Sequence, residues 1–424
     1  MLRRFSGFPA IIVATVVAGV AGYLITWLVP RIAGPGLYAI FAIFWSFLYL
    51  LVGALSGIQQ EVTRATIPST AATQRRAGTA RNFGVASAVV VLLAIMGTAP
   101  LWKDLVFPGF GWQLALPLAV GAASYVLVAT LSGTLYGVGQ WSSLALLVSL
   151  DAVLRIVLIA IALLFTSDIV VLAWLVAAPF PIVILLLWPI IRGRIVGRSD
   201  LDVAYRALSW NVSRTVVAAA SMGVLVSGFP LLLHLTSPGE ANTTYGLMVL
   251  AITLTRAPLI TTVMAAQSIL VVRFRDFPSR FWATFNRIVV VILVCTGILS
   301  ILGWWLGPWA FAILFGTSFV VSGWLIAVLV GSSGIVGILS VCGAALLART
   351  QHFAYTAGWV CAAMATLGLL LLPLSFEMRT VVALMGAPCV GVVIGVVALL
   401  RGRRRTESLR KPHMPQPDSE SHLT

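Results

Sequence analysis

YAIFAIFWSFLYLLVGALSGIQQEVTR (residues 38–64) and YGLMVLAITLTRAPLITTVMAAQSILVVRFR (residues 245–275) read as two versions of one segment. A shift of 207 places Tyr38 on Tyr245 and Gln60 on Gln267, and each version runs into a basic loop. Further on, LVFPGF (105–110) recurs as ILFGTSF (313–319), and GTLYGVGQ (133–140) as GAALLARTQ (343–351). The chain is therefore a tandem duplication. In a membrane protein, two such halves usually enclose a cleft through which something moves.

Composition supplies the membrane. Of the 424 residues 60% are hydrophobic and 9% charged, with a mean hydropathy of +1.05. No soluble domain of this length hides that much apolar surface, so lipid is the solvent for most of the chain. Apolar stretches fall at 8–29, 37–58, 83–102, 113–137, 144–166, 169–191, 211–235, 245–267, 288–307, 321–347, 353–373 and 381–400. Each approaches or exceeds the roughly 20 residues that cross a hydrocarbon core as a helix. Helices are required, because an open strand edge in lipid leaves backbone groups unpaired. The expected fold class is an all-α polytopic membrane protein of about twelve transmembrane helices, in two pseudo-symmetric six-helix lobes around a central cavity. The expected divisions are 1–191 for the first lobe, 192–209 for a connector, 210–400 for the second lobe and 401–424 for a disordered basic tail. The start, MLRRFSGF before a long apolar run, mimics a signal peptide, but its apolar core is too long for one and reads as the first span.

Charge orients the chain. With the N-terminus inside, 21 of the 27 Lys and Arg fall on inner segments, against Arg31, Lys103 and Arg379 outside. This positive-inside pattern predicts both termini in the cytoplasm of a bacterial plasma membrane. The net charge of +15 is then a topology device and a contact for anionic lipids, not a nucleic-acid site. The four cysteines lie in apolar runs without CxxC or histidine companions and read as small buried hydrophobes. No Walker-type loop, HExxH or nucleophile elbow occurs, which excludes ATP-driven transport within this chain, and no cofactor is implied.

Polar residues inside the spans carry the functional signal, because an ionised side chain there costs about 2.5–3.5 kcal/mol on insertion scales. Arg256 lies mid-span with Pro258 just after it. It faces either an aqueous cavity, ready for an anionic group, or an acid or freed carbonyls. Ser46, Tyr49, Gly53, Ser56 and Gln60 share one helical face. Their counterparts are Thr253, Arg256, Ile260, Val263 and Gln267, so Arg256 occupies the place of Tyr49. Such a face is a cavity wall or a tight helix seam. Asp151 and Arg155, four apart with the acid first, form either a structural pair or a site for a coupling proton or cation. Arg214 can snorkel or face the cavity with Asn211, Ala218 and Ser221. Arg31, in VPRIAGPGLY before a turn at Gly34–Gly36, contacts headgroups or an anionic substrate.

PRIAGPGLY, GIQQEVTR, ILFGTSF and ALLARTQHF, in that order across twelve spans, resemble the multidrug/oligosaccharidyl-lipid/polysaccharide (MOP) exporter superfamily. The pattern looks similar to its polysaccharide-biosynthesis flippases. The resemblance covers essentially the whole chain except the tail. It implies alternating access around a V-shaped cavity, and a substrate made of an oligosaccharide on polyprenyl pyrophosphate. It also implies that Arg31 and Arg256 hold the pyrophosphate. An arginine–aspartate pair found in span 1 of the lipid II flippases is missing, with Gly22 and Tyr23 there instead, which argues against a peptidoglycan precursor. Glycosyltransferases or a polymerase are the implied partners. The alternatives are an ion-coupled multidrug or small-molecule antiporter of the same fold, whose cationic substrates would suit cavity acids better, and a non-transporting scaffold for glycosyltransferases.

Overall fold

The computed structural model describes residues 8–68, 79–196, 199–276, 280–316 and 321–410. Arg3, Arg4, Arg75, Arg76, Arg198, Lys411, the end of ILFGTSF and the segment 411–424 lie outside the described residues, as do the side chains of Pro258 and Val263. The first element, α1 (Phe8–Ala65), has 58 residues. At about 1.5 Å per residue it is far longer than a hydrocarbon core is thick, so it crosses twice. The turn expected at Gly34–Gly36 is present as a sharp break at Gly34, where φ is 77° and ψ 169°, a conformation glycine adopts without steric cost.

Then come α2 (Ala80–Val106), α3 (Gly111–Gly137) and α4 (Trp141–Leu163). The sixth span is split into α5 (Ile169–Ala177) and α6 (Pro179–Ile195), with a proline opening the second piece. The seventh is also broken, into α7 (Tyr205–Val226) and α8 (Phe229–Leu235), bent by 75°. The chain continues through α9 (Asn242–Asp276), α10 (Phe281–Phe315), α11 (Gly323–Ala348), α12 (His352–Leu370) and α13 (Phe376–Arg410). With α1 counted twice and each broken pair once, these helices make the twelve crossings of a two-lobed bundle. Helix α13 passes the expected boundary at 400 and stays helical to Arg410.

Hydropathy did not show the strands β1 (Thr66–Pro68) and β2 (Ser199–Leu201), which pair antiparallel with Ile67 opposite Asp200. The expected connector is thereby tied to the first lobe. Asp202 N donates to Ala65 O at 2.9 Å, and the Tyr205 hydroxyl exchanges hydrogen bonds with both backbone groups of Thr79.

The core of the first lobe is packed by Phe44, Leu48, Leu114, Leu118, Leu144 and Ile159, all fully buried. Val290, Leu293, Val294, Ile298 and Ile301 on α10 are exposed on one side, the pattern of a helix facing lipid. The lobes meet closely where α1 crosses α7. A Cβ on Gly57 would stand 2.8 Å from Val216 N, against backbone that cannot give way. Gly57→Ala should therefore cost about 1–3 kcal/mol by overpacking and lower the unfolding midpoint in detergent. Gly22→Ala, with nothing within 4 Å of its new Cβ, should not.

Candidate functional site

Three cavities lie along the polar face of α1. A central chamber of about 240 Å³ is walled by α1, the α7–α8 break and α9. A pocket of about 300 Å³ lies within the first lobe. A vestibule of about 920 Å³ occupies the end of the bundle where the basic loops and the β1–β2 pair sit. Ser46 and Tyr49 line the chamber, and Gly53, Ser56 and Gln60 line the vestibule. The polar face is thus a cavity wall along its length, while Gly57 beside it makes the seam with α7.

Arg256 is the chamber's charged residue. It is 3% exposed, and its Nε has no hydrogen-bond partner. Its guanidinium stands 6.0 Å from the centre of the Phe229 ring. No carboxylate pairs with it among the described residues, and none lines the chamber. A buried cation without a counter-charge is costly, and an anion entering the chamber would relieve that cost. Thr253, one turn earlier on α9, lines the same chamber and donates to Val249 O at 2.8 Å.

The first-lobe pocket holds the opposite arrangement. Arg155 donates to Asp151 Oδ1 at 2.8 Å, to the Tyr49 hydroxyl at 2.7 Å and to Val176 O at 3.2 Å. It also lies 4.8 Å from the Phe180 ring centre. Each of its nitrogens has a partner, so the pair is neutralised where it stands. Tyr49 and Trp45, stacked with centroids 4.6 Å apart, line this pocket and the chamber alike. They form the wall between the two.

Arg214, Asn211 and Gln60 face the vestibule. Gln267 Nε2 stands close to Gly343 of α11, as does the Tyr355 ring of α12. Arg31 does not reach the chamber. Its Nη1 donates to Leu314 O of α10 at 2.5 Å, and Trp27 Nε1 donates to the same oxygen at 3.2 Å. The expected partnership of Arg31 with Arg256 is therefore not assembled in this conformation, because Arg31 is engaged with the end of α10. The structure brings together Arg256, Tyr49 and Ser46, and keeps Arg31 and the Asp151–Arg155 pair out of their cavity.

Two structural features of the site were not read from sequence. Glu61 accepts from Thr215 of α7 at 2.8 Å and pairs with Arg64 at 2.9 Å, joining the lobes at the vestibule. The break at Ser227–Gly228 is the other, and the Gly-Phe-Pro run at 228–230 was the available signal for it.

No family model matches the chain. It is 33% identical over 399 residues to the uncharacterized protein Rv3630 of Mycobacterium tuberculosis, covering 92% of this chain and 90% of that protein. To Rv1510 of the same organism it is 34% identical over 398 residues, with the same coverage. Among solved structures, it is similar to the lipid II flippase MurJ in an inward closed conformation, with a TM-score of 0.70, 12% identity, and 92% and 87% of the two chains covered. A multidrug resistance MATE transporter of the MOP superfamily, inward-facing, gives a TM-score of 0.64 at 15% identity over 94% and 96% of the chains. A MOP-superfamily transporter from Pyrococcus furiosus, described as having a binding pocket of reverse polarity, gives 0.61 at 16% identity over 96% and 95%. Further MATE transporters share the architecture. The fold is that of the MOP superfamily.

Proposed function

We propose that this chain, which belongs to the same family as Rv3630 and Rv1510 of Mycobacterium tuberculosis, is an alternating-access exporter of small amphipathic molecules bearing an anionic group. The observation that carries this reading is Arg256, a buried cation without a counter-charge in an acid-free chamber between the lobes. The number of MATE transporters among its structural neighbours favours a small-molecule substrate. The vestibule falls within the roughly 300–1,000 Å³ typical of small-molecule sites. With the basic loops in the cytoplasm, the vestibule is the loading side. In an antiport cycle, a coupling proton or cation would meet Asp151 across the Tyr49–Trp45 wall.

The same polarity supports a second reading, a flippase for an oligosaccharide on polyprenyl pyrophosphate. The pyrophosphate would sit on Arg256, the sugar in the vestibule and the lipid tail outside the bundle. Arg31 would join only after leaving Leu314.

Proteoliposomes distinguish these readings. Accumulation of an anionic fluorescent amphiphile, but not of a matched cationic one, is the expected result. Transport of the cation alone overturns the anion preference. Flipping of a labelled polyprenyl-pyrophosphate sugar without transport of the small anion selects the second reading. No movement of any of these probes returns the protein to a scaffold role.

A further inference from the structure

We propose that the α7–α8 break is a gate between vestibule and chamber, latched by the Ser46 hydroxyl of the opposite lobe. Val226 and Ser227 line both cavities, so this short stretch is the wall that separates them. In an unbroken helix, Ser227 O would accept from Leu231 N, four residues on. Here Ser46 Oγ stands between the two groups, donating to Ser227 O at 2.6 Å and accepting from Leu231 N at 3.2 Å. The helix bends by 75° here, where Gly228 and Pro230 interrupt the ladder and the inserted hydroxyl fills the gap. A side chain inserted into the helical ladder is one of the few causes of so sharp a kink.

The element therefore has two satisfied states. With the lobes together, Ser46 fills both backbone groups and the wall is held in place. With Ser46 withdrawn, Ser227 O and Leu231 N can bond each other, α8 swings toward the axis of α7 with the residual kink that Pro230 imposes, and the wall moves. Lobe separation and opening of the chamber become one event, since a backbone group left unpaired in the packed seam between the lobes is costly. The latch rests on the transporter reading for its purpose but needs no substrate to be tested.

The test uses the full chain with Cys295, Cys342, Cys361 and Cys389 replaced by alanine and Val249→Cys as a reporter in the chamber wall. An impermeant maleimide is applied from the basic face of proteoliposomes. Adding Ser46→Ala removes both hydrogen bonds of the latch and should raise the labelling rate about fivefold to a hundredfold. Ser46→Thr, which keeps the hydroxyl, should label at the parental rate. Should Ser46→Ala not fold, Ser46→Val serves, since it lacks the hydroxyl but matches the shape of the Ser46→Thr control. An unchanged rate in the folded Ser46→Ala or Ser46→Val protein overturns the latch. A raised rate in a protein that moves no anionic amphiphile leaves the latch standing and removes the proposed substrate class.

Discussion

Arg256→Ala should lower transport of an anionic substrate about tenfold to a hundredfold while leaving the protein as stable as before, or more so. The first half follows from the strength of hydrogen bonds to charged groups, about 1.5–3 kcal/mol, with each 1.4 kcal/mol worth a factor of ten. The second follows from burial, because the substitution removes a cation that is 3% exposed and faces no carboxylate. Transport and stability thus move in opposite directions, as expected where a costly group is kept for function. Arg256→Lys retains the charge but not the planar fork, so its loss should be smaller. Uptake by proteoliposomes and unfolding in detergent are the two measurements. Unchanged uptake in Arg256→Ala removes the anion site.

The second large effect has the reverse sign on stability. Asp151→Ala leaves Arg155 buried with its counter-charge gone, and breaking such a pair costs about 3–5 kcal/mol. The side chains of Arg155 and Asp151 are 7% and 19% exposed, so solvent screens the loss little. The double variant Asp151→Leu, Arg155→Met should recover most of that stability, since apolar replacement of a whole buried pair is often neutral or better. Detergent unfolding of the three proteins checks this. The double variant also separates the two roles of Asp151. If the pair is only structural, the recovered protein transports against a gradient as the parent does. If Asp151 holds a coupling ion, the recovered protein equilibrates its substrate without concentrating it.

The duplication, the crossings and the matched polar faces were legible because each depends on local periodicity or on comparing the chain with itself. Placing Arg256 on Tyr49 needed only a constant shift, and both residues line the chamber. Whatever depends on distant partners was not legible. Ser46 finds Ser227 181 residues away, and Arg31 finds Leu314 283 residues away. The sequence places both residues on a face but does not say what stands opposite. Ser46 was expected as a substrate contact and is occupied by backbone, and the engaged Arg31 was expected beside Arg256. The α7–α8 break was hidden for another reason. Its two pieces are both apolar, so hydropathy runs through Ser227 and Gly228 without a dip. The turn at Gly34 was legible, because its glycines and proline are local signals.

The uncompensated Arg256 is also a charge inside an electric field. Midway along a spanning helix it sits where the membrane potential changes, and moving one elementary charge across the whole potential involves about 2.3 kcal/mol per 100 mV. When a singly charged anion is bound, the chamber is electrically neutral and the loaded protein can rearrange with little dependence on voltage. When the chamber is empty, its positive charge remains, and the return step feels whatever part of the field that charge crosses. The potential would then bear mainly on the reset of the cycle rather than on the movement of cargo, and turnover would follow the energised state of the cell even without a coupling ion.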